Sequence, residues 1–222
     1  MTRATPQARR ARDRRQQGFI TSSLLEWYTE NARDFPWRRK SATRYRQVVS
    51  EVLLRRTRAS TVAGIYHEFF RRFSGWRKLA RAHRRTLERV LRPLGLWQER
   101  ARTLPGFARA VVDQNFRFPR SREELMRMPG VGLYVASAIL VFYHQEPEPL
   151  LDRNMARVLC RFHGWPEPAD IRHAPGLYDH ARQIVAMADD PRQINWAFLD
   201  LGATVCKPSG PSCPNCPLAD TC

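Results

Sequence analysis

Four of the chain's five cysteines crowd its last residues: Cys206, Cys213, Cys216 and Cys222, in the pattern Cys-x6-Cys-x2-Cys-x5-Cys. Four soft thiolates at this spacing can wrap one tetrahedral ion or one iron-sulfur cubane. Structural zinc more often uses two paired Cys-x2-Cys knuckles, and this tail has one, but spacing alone leaves both centres open. Either would tie down a segment with too few apolar residues to fold unaided. The fifth cysteine, Cys160, is expected in the core.

A second group of residues points to phosphate. Ser121 to Leu140 reads as a capped short helix, a glycine hairpin Met128-Pro129-Gly130-Val131-Gly132, and a second helix. Ser121 and Glu124 have capping-box spacing. The glycines free the backbone from Cβ constraints, so that N–H groups around Gly130, Val131, Gly132 and the following helix start can face a phosphate. An ordinary interhelical turn is the plainer reading.

Twenty residues after Gly132 comes Asp152, in Leu150-Leu-Asp-Arg-Asn-Met-Ala-Arg-Val-Leu-Cys-Arg161. Aspartate is a favoured N-cap, which accounts for it structurally. A carboxylate at that place could also stabilise positive charge on a deoxyribose as a base departs. Glu51 lies within the helical segment Tyr45 to Thr57, where it could manage a proton near a nucleobase or simply pair with Arg55. Arg55, Arg56 and Arg58 close that segment, suited to phosphates or to the gap left by an extruded base, or else forming a solvated basic face.

The elements that must hold these residues read as helices. Val62, Ile65, Tyr66, Phe69, Phe70 and Phe73 recur at helical steps, as do Val48, Val49, Val52 and Leu53. Met155 to Phe162 and Ile194 to Thr204 follow suit, and no period-two stretch stands out. Breaks at Asp34-Phe35-Pro36-Trp37, Arg92-Pro93, Pro105-Gly106, Phe118-Pro119, Pro129-Gly130, Pro147 to Pro149 and Trp165-Pro166 cut the chain into about ten short helices. The expected fold is all-α. Residues 1–17, with six arginines and almost no apolar partners, read as a disordered basic arm.

The formal net charge is +17, and only three of the 38 basic residues are lysine: Lys40, Lys78 and Lys207. Such a surface calls for a polyanion, nucleic acid before an anionic membrane, and arginine favours bidentate phosphate contacts. The arginine-rich start has no apolar stretch behind it to make a signal peptide, and no run of about 18 apolar residues appears. An intracellular, cytoplasmic or nucleoid-associated location is expected, without a membrane partner. The core is large enough for a monomer. A reducing compartment also favours metal ligation over disulfides.

The hairpin Met128 to Gly132, the Leu-Asp-x-Asn run at residues 151–154 and the four-cysteine tail together resemble the helix-hairpin-helix glycosylase superfamily of endonuclease III and MutY. The resemblance covers about residues 19–222. It implies two helical lobes: a six-helix barrel over residues 41–151, and a lobe of residues 18–40 and 152–222 that joins both chain ends around a 4Fe-4S cluster held by the four cysteines. It also implies that Asp152 is the catalytic aspartate and that the partner is double-stranded DNA with a mismatched or damaged base. Bifunctional members carry a hairpin lysine where this chain has Tyr134, and no lysine occurs between Lys78 and Lys207. An amine for β-elimination is thus lacking, and a monofunctional enzyme is expected.

Asp34-Phe-Pro-Trp-Arg38, Glu51 to Thr57 and Gly132-Leu-Tyr134 look most like the G·T mismatch thymine-DNA glycosylases, with Tyr134 as pocket wall or hairpin packing. MutY-type adenine glycosylases share Glu51 and Asp152 but typically show paired glutamines in place of Arg55 and Arg56. They also carry Gly-Tyr-Tyr where this chain has Gly95-Leu-Trp97, and usually a further C-terminal domain, which is not expected here. The expectation is excision of thymine or uracil opposite guanine. MutY-like adenine excision and a non-catalytic iron-sulfur DNA-binding protein are the alternatives.

Overall fold

A computed structural model describes the backbone of residues 6–222 and the side chains from Ala11 onward. Eleven α-helices and no strands occur among the described residues. The chain divides into two compact units. One comprises the described residues up to Arg33 with Gln145–Cys222, and the other is Asp34–His144. Both junctions fall somewhat earlier in the chain than the sequence suggested.

The unit Asp34–His144 contains α2 (Arg44–Leu54), α3 (Ala59–Arg72), α4 (Trp76–Ala80), α5 (Arg84–Leu91), α6 (Trp97–Asp113), α7 (Arg122–Met126) and α8 (Leu133–Ile139), the last running on as a π-turn through Leu140–His144. The apolar faces read from the sequence are the buried ones: Val48, Val49 and Leu53 on α2, and Val62, Phe69 and Phe70 on α3, are at most 1% exposed. Tyr45 stands edge-on to Phe70 and Trp76, and its hydroxyl donates to Phe73 O at 2.6 Å, so the ring's one polar atom is satisfied inside the core. Thr43 caps α2, accepting from Arg46 N, and Ser121 caps α7, accepting from Glu124 N.

Pro105 does not break its helix, contrary to expectation: α6 runs unbroken from Trp97 to Asp113. Proline in a helix interior costs about 3 kcal/mol. Burying Leu104, Phe107, Ala108 and Val111, each at most 2% exposed, offsets that cost several-fold at about 1.5–3 kcal/mol per large side chain.

The other unit contains α1 (Pro6–Asn31), α9 (Arg153–His163), α10 (Pro175–Val185) and α11 (Pro191–Thr204), ending in two short 3-10 turns, the first opened by Cys213 and closed by Cys216, the second closed by Cys222. The disordered arm expected for residues 1–17 is corrected from Pro6 onward, because α1 begins there. Met1–Thr5 lie outside the described residues. Ile20 and Leu24 are fully buried, Thr21 Oγ1 donates to Ile184 O at 3.2 Å, and Gln17 Nε2 donates to Gln183 Oε1 at 2.7 Å. An anchored helix propagates cheaply into flanking alanine, arginine and glutamine, all strong helix formers. At the far end of α1, the buried Asp200 of α11 accepts from Arg33 N at 3.0 Å and Arg33 Nε at 2.7 Å. No helix among the described residues is long and apolar enough to cross a membrane.

His163 and His180 meet in this unit with Nε2 atoms 2.8 Å apart, and His163 stacks on Trp165 at 4.2 Å. Burial and then the neighbouring His163 lower the His180 pKa from 6.5 to about 4, against the opposing pull of Asp13. The unfolded chain therefore binds the extra proton first. Stability should be complete above about pH 6.5 and fall as pH drops toward 4. Thermal melts across that window should show the slope, and His180→Gln should flatten it.

Candidate DNA-processing site

Glu51 faces into the core of the unit Asp34–His144 at 1% exposure, and the Tyr134 hydroxyl donates to its Oε2 at 2.8 Å. The two expected site residues are thus brought together by packing α2 against the start of α8. Removing the hydroxyl leaves a buried carboxylate oxygen short of one donor, a loss of about 1.5–3 kcal/mol for a bond to a charged group. Tyr134→Phe should therefore lower the melting temperature by about 3–12 °C, read in thermal melts beside the wild type.

The hairpin turns at Gly130, whose φ of +75° favours glycine, and a Cβ there would touch Thr103 Cβ at 3.4 Å. Gly132 is different from what the sequence suggested. Its φ of −105° suits any residue, and nothing lies within 4 Å of an added Cβ. Val131 N–H is already used, donating to Met128 O at 3.2 Å, and the Val131 side chain is buried. The N–H groups at the start of α8 have no acceptor one turn back within their own helix, which makes them the backbone donors suited to an anion.

Arg55, Arg56 and Arg58 are exposed at the turn after α2, with Arg58 serving as N-cap of α3. Arg55 Nη1 reaches Gly130 O at 3.4 Å, which joins this turn to the hairpin. Arg56 adopts φ +52°, uncommon for a residue with a Cβ. The residue that holds the turn is one the sequence reading missed, Arg100. It is 6% exposed and donates to Val52 O at 2.7 Å, Gly95 O at 2.9 Å, Thr57 Oγ1 at 2.9 Å and Arg55 O. It thereby satisfies carbonyls that the end of α2 leaves open. Leu96, also left-handed at φ +57° and 49% exposed, shares an open pocket with Arg55, Arg56 and Thr103. Strained, exposed residues beside cations are typical of a surface that meets a ligand.

In the other unit, Asp152 is the N-cap of α9. Its Oδ1 accepts from Asn154 N at 2.8 Å and Met155 N at 2.9 Å, and its Oδ2 from Asn154 Nδ2 at 2.8 Å. Burial raises its pKa; the same three hydrogen bonds and the Arg157 cation oppose the rise. The cap reading and the catalytic reading are compatible, since the cap fixes where the carboxylate points.

Behind it, buried Arg157 donates to Asn154 Oδ1 at 2.9 Å, Gly202 O at 2.6 Å and Cys206 O at 2.7 Å. One turn on, Arg161 donates to Lys207 O at 2.8 Å and lies 3.6 Å from Cys206 Sγ. These two arginines tie α9 to the first tail cysteine. Neither they nor Gly202 were singled out from sequence, although arginine at four-residue steps along an otherwise apolar helix was the available signal.

No disulfide joins the five cysteines, and Cys160 is buried as expected. Burial, then the nearby Cys206, Cys222 and Cys213, raise the Cys216 thiol. Burial, Cys206 and Cys213 do the same at Cys222. Four free thiols within one another's electrostatic reach fit the donor set of a tetrathiolate centre. Among the described residues, no three His, Cys, Asp or Glu side chains already form a cage for a single metal ion.

Residues 49–189 match the family described as HhH-GPD superfamily base excision DNA repair protein. The chain is 38% identical to a thymine-DNA glycosylase of Aeropyrum pernix, covering 90% of this chain and 91% of that one. It is 36% identical to a thymine/uracil-DNA glycosylase of Pyrobaculum aerophilum, covering 89% and 87%. Human adenine DNA glycosylase is 34% identical over 90% of this chain, which spans 38% of that protein. Among solved structures, a thermostable thymine-DNA glycosylase superposes with a TM-score of 0.84 at 28% identity, covering 94% of this chain and 95% of its own.

Proposed function

The chain belongs to the HhH-GPD superfamily of base excision DNA repair proteins, and we propose that it is a monofunctional DNA glycosylase that extrudes thymine or uracil mispaired with guanine and hydrolyses the N-glycosidic bond. The observation that carries this reading is Asp152, an acceptor-only carboxylate fixed by three donors of its own helix. Near-full-length similarity to a thymine- and a thymine/uracil-DNA glycosylase supports the choice of base.

In this reading the backbone at the start of α8 and the exposed Arg55, Arg56 and Arg58 hold phosphates on either side of the target. Exposed Leu96 is the apolar side chain that enters the opened base step. Extrusion costs a few kcal/mol, least for a mispaired base. The C1′–N1 bond then breaks with its electron pair leaving on the base. The Asp152 carboxylate stabilises the cation left on the sugar, and water adds to C1′ and gives up a proton. Glu51, oriented by Tyr134, contacts the base or the water. With tyrosine at residue 134 and no amine to form an imine, the product is an abasic site on an unbroken strand.

The finer architecture, a six-helix barrel and a cluster-bearing lobe, belongs to the same proposal. Cys206, Cys213, Cys216 and Cys222 would hold a 4Fe-4S cluster, which when bound supplies four metal-thiolate bonds that tie down the tail. Purified protein should then contain iron and acid-labile sulfide in equal amounts. Zinc without sulfide would replace the cluster in this account.

A duplex panel tests the substrate. Alkali-revealed abasic sites should form on G·T and G·U duplexes and not on A opposite G or 8-oxoguanine. Preference for adenine would overturn the choice of base. Cleavage of none would overturn the enzyme.

A further inference from the structure

The segment that delivers Asp152 to its helix, from Glu146 to Leu151, has no regular secondary structure; Glu148 N–H donates to Glu146 O at 2.8 Å, and the other buried backbone groups need partners from outside a helix or sheet ladder. Leu150 and Leu151 are buried, where an unmet N–H or C=O is costly. Asn195 of α11, with no exposed surface, meets this need. Its Oδ1 accepts from Leu150 N at 2.6 Å, and its Nδ2 donates to Glu148 O at 2.9 Å and Pro191 O at 2.7 Å. An N–H can only donate and a carbonyl can only accept, so one orientation of the amide satisfies all three, and both its N–H groups are used. No other side chain of that size offers one acceptor and two donors. Glu148 is held at its side chain as well: Tyr178 OH donates to Oε2 at 2.5 Å and Arg182 Nη2 lies 3.2 Å from Oε1.

We infer that Asn195 is a positioning residue for Asp152: it fixes the main chain that enters the catalytic N-cap, while α9 fixes the carboxylate itself. The inference rests on the glycosylase reading given above. Asp152 is held from the front by Asn154 and Met155, which belong to its own helix and move with it. Asn195 sets where that helix start lies relative to α11, two residues upstream of the carboxylate. A shift of about 1 Å in a reacting group can cost on the order of a hundredfold in rate.

The test is single-turnover excision from a G·T duplex by holoprotein, with rates normalised to the active fraction from product amplitude. Asn195→Asp keeps the acceptor for Leu150 and loses both donors; Asn195→Ala loses all three bonds. Both should slow the chemical step by about 10–100-fold while the dissociation constant for the duplex moves less than about threefold. Tyr178→Phe, which removes one hydroxyl from the Glu148 support, should give a smaller loss of about threefold. Ile184→Val, a buried core change in the same unit, lowers the melting temperature without removing any hydrogen bond to this segment and should keep the wild-type rate per active molecule. Should Asn195→Ala not fold, Asn195→Asp and Tyr178→Phe decide. Asn195 variants that turn over at the wild-type rate, or a control that falls as far as they do, overturn the inference. Wild-type protein inactive on every duplex shows instead that the glycosylase reading itself has failed.

Discussion

Asp152→Asn should lower excision of the mispaired base by at least about a thousandfold, equivalent to about 4 kcal/mol of transition-state stabilisation. Asparagine caps a helix about as well as aspartate and still offers Oδ1 to the N–H groups of Asn154 and Met155. The Nδ2 of the new asparagine meets the Asn154 Nδ2 that now donates to Oδ2, so folding should lose about 1–3 kcal/mol and the variant should still fold. What disappears is the negative charge beside the sugar. DNA affinity should stay the same or rise, because one carboxylate near the phosphates is gone. Burial also raises the pKa of Asp152, so the wild-type rate should fall on the acid side at a pH above the ordinary carboxylate range, as protonation removes the same charge. A variant retaining more than a tenth of the wild-type rate would move the charge-stabilising role elsewhere.

Gly202→Ala should produce the largest loss of stability from the smallest change. A Cβ at this position would stand 2.6 Å from Asn154 Cβ, 3.1 Å from Asn154 Cα and 3.2 Å from its carbonyl carbon. Two of these three are backbone atoms, so no rotamer change relieves the contact and α11 must move away from the start of α9. Overpacking of this kind costs about 1–3 kcal/mol, at the upper end where backbone meets backbone. At about 2–4 °C per kcal/mol for a chain of this size, the melting point should drop by roughly 4–12 °C. Activity should fall as well, because the displaced residue is Asn154, whose Nδ2 donates to Asp152 and whose Oδ1 accepts from Arg157. A wild-type melting temperature in this variant would mean that the two helices are not held at this spacing.

Much of the site was legible because its parts are contiguous in sequence. The turn at Gly130, the cap at Asp152, the capping pair at Ser121 and Glu124, and the apolar faces of α2 and α3 all follow from spacings of a few residues. The failures share a different cause. Residues 6–17 of α1 looked unable to order because their own composition offers no core, yet the helix is anchored farther along by Ile20 and Leu24. Pro105 looked like a break because its cost is local, whereas the burial that offsets it comes from packing against α4 and α5. Gly132 resembled Gly130 in sequence but has an ordinary φ and open space where a Cβ would stand.

Arg100, Arg157 and Asn195 were invisible for the same reason. Each satisfies backbone groups some 40 to 50 residues away, and a buried arginine on a helix looks in sequence like any solvated one. In a chain with net charge +17 that disguise is complete. Most arginines here offer charge to a polyanion, while these two supply the rigid hydrogen bonds that shape the surface the others present.

The most direct measurement of the central claim is product analysis on a G·T duplex labelled in the thymine strand, with wild-type protein and Asp152→Asn run side by side. The account predicts free thymine, an intact strand before alkali, a break at the mismatch after alkali, and neither product from the variant. Strand cleavage by the wild type without alkali would contradict the monofunctional reading. No thymine release from G·T, or release that survives in Asp152→Asn, would contradict the assignment of substrate or of the carboxylate.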